Sequence, residues 1–219
     1  MKVRLRIARS SADVLSCQRL IAEVYHRAYG VVFSDDIYDL DAKIEPWPHR
    51  YLMAHSGDDL AVVCGMYLDH TYVERFGLVS DAEIAAQLEE AGMQRRYDPR
   101  VRRELTKLVV APPWRKHHLS PAILAAAHSR HFMDVDAARP PLLTFCCVRS
   151  IAEGIVTRHG IRARRIKPFP SYKVHEHYRS DSNPMDSYLV IPDVDVPAAY
   201  RDLRIPGEYT LDVLGGERP

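Results

Sequence analysis

RELTKLVVAPPWRKHHLSPAILAAAHSR, residues 103–130, decides the fold. Its first part, up to Val110, reads as a β-strand, and Ala111-Pro112-Pro113 breaks that strand. A basic turn follows, Arg115-Lys116-His117-His118, and then Ser120-Pro121 opens a helix. Ser120 suits the N-cap, and Pro121 the first helical position, where a missing N–H costs nothing. A helix start offers unpaired backbone N–H groups and the positive end of the helix dipole. Strand, basic turn and helix start together make a site for an anion, with Arg115, Lys116, His117, His118, Leu119 and Ser120 as its lining. Unlike most phosphate cradles, this turn contains no glycine.

Working outward, residues 3–7 alternate, with Val3, Leu5 and Ile7 on one strand face. Residues 12–29 have helical spacing, from Val14 and Leu15 through Cys17, Leu20, Ile21, Val24, Tyr25 and Ala28, with Gly30 as the stop. An acidic, proline-containing connection follows. Residues 50–73 read as a hairpin about Ser56-Gly57-Asp58-Asp59. Ser80 and Glu83 form a capping box at the head of a second helix. Beyond the opening stretch, PPLLTFCCV is a buried strand and SIAEGIVTRHG a capped helix; IRARRIKP and DSYLVIPDV are strands. Alternating strands and helices in this order predict an α/β domain with one mixed sheet, parallel around residues 104–147. The length of 219 residues suits a single domain spanning 1–219.

Composition excludes several classes. A formal net charge of +1 argues against a polyanion binder, and no nucleic-acid reading motif occurs. No run approaches the roughly 18 apolar residues that span a bilayer. The N-terminal segment lacks the apolar run of a secretory signal, and the cysteine pattern suits a reducing cytoplasm, the expected location. None of the four cysteines forms a Cys-x-x-Cys pair, and Cys146 and Cys147 sit in an apolar run as inert thiols. Eleven histidines include His128 and His131 one turn apart and a His175-x-His177 pair, but neither has a carboxylate at metal-site spacing, so no metal is expected.

LVVAPPWRKHHLSPAILAAAHSR resembles the central motif of the GNAT acyltransferase superfamily, where a strand leads into a turn that holds the pyrophosphate of coenzyme A. GIVTRHGIRARRI is similar to that superfamily's downstream helix and strand start. The resemblance implies a GNAT-like twisted mixed sheet, helices on both faces, and splayed central parallel strands. Side chains at His118 and Ser120, where the usual turn has glycines, narrow the pocket. This points to the branch containing acyl-homoserine-lactone synthases and N-acyl amino acid synthases, which take acyl groups largely from acyl carrier protein. Glu104-Leu105-Thr106-Lys107-Leu108-Val109-Val110 resembles that branch's strand, with Lys107 in place of the usual arginine. YDLDAKIE resembles its acidic stretch.

The resemblance implies an acyl-ACP or acyl-CoA cosubstrate, a small-molecule amine acceptor, and acyl carrier protein as partner. Glu104 would take the proton from the attacking ammonium, directly or through one water; the competing reading is a solvated carboxylate paired with Arg102 or Arg103. The Val110 backbone N–H would stabilise the oxyanion. Asp39 and Asp41 would hold the amine, against the plainer reading of two solvated loop acids. Phe33, Met66, Leu68, Leu142 and Phe145 would line an acyl-chain channel, or serve as core. Tyr172 and Tyr178 are candidate acids for the leaving thiolate. The basic residues Arg95, Arg96, Arg100, Arg102, Arg103, Arg162, Arg164, Arg165 and Lys167 would steer the acidic carrier protein if they share a face. The alternatives are an acetyl-CoA-dependent N-acetyltransferase and an inactive GNAT-like binding domain.

Overall fold

The computed structural model describes residues 3–29, 47–68, 79–117, 119, 123, 142–148, 163–168 and 185–190. Among them seven strands form one mixed sheet: β1 (Arg4–Ile7), β2 (Arg50–Ser56), β3 (Asp59–Tyr67), β4 (Arg102–Val110), β5 (Leu142–Val148), β6 (Ala163–Pro168) and β7 (Met185–Val190), in the order β1-β2-β3-β4-β5-β7-β6. The helices are α1 (Ser11–Tyr29) and α2 (Asp81–Glu90), with a 3-10 turn at Pro112–His117. The chain gathers into two compact units: Met1–Met66 with Lys107–Asp134 and Asp195–Pro219, and Tyr67–Thr106 with Val135–Val194.

In the first unit, Ser10 Oγ accepts from the Asp13 N–H at 3.1 Å and starts α1. Asp13 also accepts two bonds from Arg6 of β1, one at 2.7 Å, and so ties strand to helix. The Arg6 guanidinium holds the Asp13 carboxyl well below the usual carboxylate range. The apolar stripe of α1 buries Cys17, Ile21 and Val24 against Tyr51, Met53, Val63 and Val109. The β2–β3 hairpin turns where expected, and Gly57 takes φ +60°, a conformation glycine adopts without steric cost. Cys17 and Cys64 are buried free thiols, and burial pushes each up to about 12.

In the second unit, the capping box of α2 is complete. Glu83 N–H donates to Ser80 Oγ at 3.2 Å, and Ser80 N–H donates to Glu83 Oε2 at 2.7 Å. Ile84 and Leu88 are its buried face. Three ion pairs fasten this helix: Asp81 to Arg102 at 2.9 Å, Glu83 to Lys167 at 2.8 Å and Glu90 to Arg164 at 3.1 Å. Arg164 also donates to the Gln87 carbonyl at 3.2 Å. β5 is parallel to β4 and antiparallel to β7, as the sequence predicts for a mixed sheet. Phe145 stacks on its cross-strand neighbour Tyr188, ring centroids 5.1 Å apart. The helices expected at residues 120–130 and 150–159 lie largely outside the described residues.

Candidate functional site

Four in-register pairs join β4 to β5, from Arg102–Leu142 to Leu105–Phe145. Among the described residues the ladder ends there, although β4 continues to Val110 and β5 to Val148. The cause lies in β4. Lys107 has φ +50°, a left-handed backbone that a side chain rarely tolerates inside a strand. The burial alternation also breaks: Glu104 and Leu105 are both buried in succession. Glu104 therefore does not share one exposure pattern with Thr106, Leu108 and Val110, which are all half-buried. The Lys107 ammonium is held 4.8 Å from the Tyr25 ring centroid of α1, and the residue is buried.

At the end of β4 the backbone can be oriented bond by bond. Ala111 N–H donates to the Ala61 carbonyl of β3 at 2.9 Å. Successive strand residues present N–H to opposite edges, so Val110 N–H faces away from β3, and Leu108 N–H does the same two residues earlier. The Val110 carbonyl accepts from Arg115 Nε at 3.4 Å, the long limit of a hydrogen bond. Arg115 is exposed and rides on the 3-10 turn, which Trp114 N–H closes onto the Ala111 carbonyl at 2.9 Å. Leu119 is buried, and its carbonyl accepts from Ile123 N–H at 3.2 Å. That is an α-helical bond whose acceptor stands one residue ahead of the expected Ser120 cap.

The other expected residues distribute as follows. Glu104 is 3% exposed, so it is not the solvated carboxylate of the competing reading. Met66 and Leu142 are fully buried, Phe145 is buried in its stack on Tyr188, and Leu68 is half-buried. Phe33, Asp39, Asp41, His118, Ser120, Tyr172 and Tyr178 lie outside the described residues, as do the side chains of Lys116 and His117.

Sequence reasoning misses Arg102. It is 3% exposed and lies under the first turn of α2, with Nη2 on Asp81. Its Nε and Nη1 are shielded from solvent and have no hydrogen-bond partner. An unpaired buried donor costs about 1–3 kcal/mol, and more when charged. Only the buried flanks Leu142 and Leu143 of the neighbouring strand hint from sequence that a residue here is enclosed.

A mixed seven-stranded sheet with a parallel pair whose ladder stops short is the GNAT fold, and the comparison with solved structures bears this out. The chain resembles BjaI, a CoA-dependent acyl-homoserine lactone synthase, with a TM-score of 0.61 at 14% identity over 98% of this chain and 94% of that one. It resembles the AHL synthase LasI at 0.55 and 13%, over 99% and 98%. FeeM, an N-acyl amino acid synthase from uncultured soil microbes, gives 0.51 and 11%, over 91% and 93%. No family model matches the sequence, and no curated protein matches it.

Proposed function

We propose that residues 1–219 act as one cytoplasmic acyltransferase domain, moving a fatty acyl group from an acyl-carrier-protein or CoA thioester to the amine of an amino acid or related small molecule. The observation that carries this reading is the edge of β4. Past the Lys107 kink, Leu108 and Val110 turn backbone N–H groups away from β3. Such fixed amides suit the oxyanion of a tetrahedral intermediate.

Glu104 is the base in this reading. It takes the ammonium proton, the free amine attacks the thioester carbonyl, and the thiolate leaves with the electron pair of the broken C–S bond, taking up the second proton that the nitrogen gives up as the amide forms. The Val110 N–H is the proposed oxyanion donor, and the Leu108 N–H lies on the same edge of β4. Arg115, Lys116, His117, His118, Leu119 and Ser120 remain proposed for the phosphate end of the donor. Asp39 and Asp41 remain proposed contacts of the acceptor. Phe33, Met66, Leu68, Leu142 and Phe145 remain proposed for the acyl chain.

Mass spectrometry of reactions containing acyl-ACP or acyl-CoA and a mixed amino-acid pool tests the proposal. Wild type should yield acylated amino acids, and Glu104→Gln should lower kcat by about 10²–10⁴. Undiminished transfer by the variant removes Glu104 from the chemistry. No transfer from any thioester by wild type favours a binding domain.

A further inference from the structure

We infer that Tyr25 of α1 is a positioning residue for acyl transfer: by holding the Lys107 ammonium it keeps β4 in its left-handed kink and so sets the aim of the Leu108 and Val110 amides. This role rests on the acyl-transfer reading above and adds to it the element that orders the proposed oxyanion donors.

Among the described residues, Lys107 is the one non-glycine residue with positive φ, at +50°. A lysine gains nothing from that conformation by itself, because its Cβ crowds the next carbonyl. Three anchors bracket the kink, all within the first compact unit. The first is Tyr25: Lys107 is buried, with its ammonium 4.8 Å from the centre of the ring. The pull of an aromatic face on a cation grows as water is excluded. The second is Val109, buried in the cluster built around Ile21 and Tyr51, against which Tyr25 also packs. The third is Ala111, whose N–H is fixed on the Ala61 carbonyl at 2.9 Å. Leu108 lies between the first two anchors and Val110 between the last two. The direction of Leu108 N–H follows from the Lys107 backbone dihedrals, since the peptide plane between them is rigid. Tyr25 is half-buried on a helix that the Arg6–Asp13 pair ties to β1, so its ring is a fixed support. Acting through Lys107, it bears on the charge that develops in the transition state and not on ground-state binding of the donor.

The test measures kcat and donor KM with acyl-ACP or acyl-CoA, the amino-acid pool held constant, in wild type and variants. Tyr25→Leu should lower kcat about 10–100-fold, the range that a small misplacement costs, and leave donor KM within about twofold. Tyr25→Phe keeps the ring and should stay within about threefold of wild type. Glycine adopts φ +50° without a support, so in a Lys107→Gly background Tyr25→Leu should cost less than about twofold. Lys107→Met keeps length but loses the charge; it should match Tyr25→Leu, and it decides the matter if that variant does not fold. A loss of equal size in both backgrounds, or a loss carried by KM, overturns the positioning role. So does a kcat indifferent to Tyr25→Leu and Lys107→Met, which leaves acyl transfer standing. No transfer by wild type from either donor removes the acyl-transfer reading and the positioning role with it.

Discussion

Among the described residues, Lys107 holds the least expected backbone. A lysine at φ +50° sits where Cβ crowds the following carbonyl, at a cost of roughly 1–2 kcal/mol. Its burial and the Tyr25 ring beneath its ammonium are what hold it there. In an ordinary strand, glycine is less stable than alanine by about 0.5–1 kcal/mol. At position 107 the order should invert. Lys107→Gly and Lys107→Ala both lose the contact with Tyr25, but only alanine retains the strain. Urea unfolding should find the glycine variant more stable by about 1 kcal/mol. The ordinary order, alanine above glycine, would mean that the kink relaxes once lysine is gone and that the lysine itself creates it.

At the scale of elements, α2 shows how one carboxylate serves two structures. Glu83 closes the capping box with Ser80 and also pairs with Lys167 of β6. Burial pushes its carboxyl up, but the bonds from Lys167 and Ser80 outweigh this and hold it below its ordinary value. A carboxyl depressed in the folded state contributes stability that is present above its unfolded value and lost as pH falls through the folded one. Glu83→Gln should therefore melt below wild type at pH 7, and the gap should close as pH falls below about 4.5, the unshifted value. A constant gap across pH would assign the effect to shape, not charge. The box itself was legible in the sequence, since it depends on two residues three apart; so was the hairpin, which Gly57 marks. The β4 strand and its parallel partner β5 could be read from apolar pattern and prolines. The kink could not, because nothing local distinguishes Lys107 from a strand lysine. Nor could the partners of Arg102 and Lys167, which come from elements 21 and 84 residues away. Glu104 is reached through the resemblance of its strand to that of the synthases, but its burial, and that of Arg102, is a tertiary fact.

For the molecule as a whole, near-neutral charge limits how a carrier protein can be steered. Thirty basic residues face twenty-nine acidic ones, for a formal +1. Of the basic residues that sequence reading groups as a docking face, five have carboxylates of this same chain: Arg100 on Asp98, Arg102 on Asp81, Arg164 on Glu90, Arg165 on Asp186 and Lys167 on Glu83. A cation already facing an acid projects little field toward a partner. Arg95 and Arg96, adjacent and exposed, are then the strongest steering charges of that group among the described residues. If an acidic carrier protein is the donor, Arg95→Glu combined with Arg96→Glu should lower kcat/KM for acyl-ACP about tenfold at low salt. The loss should fade as ionic strength rises toward about 0.5 M, where screening shortens to a few ångströms. Acyl-CoA, a small donor that needs no protein docking, should be used by variant and wild type alike. Charge reversal at Arg164 or Lys167 should instead lower the melting temperature and reduce both donors equally, since those residues hold α2. An equal loss for both donors in the Arg95/Arg96 variant would place carrier docking elsewhere on the chain. No loss with either would leave CoA as the natural source of the acyl group.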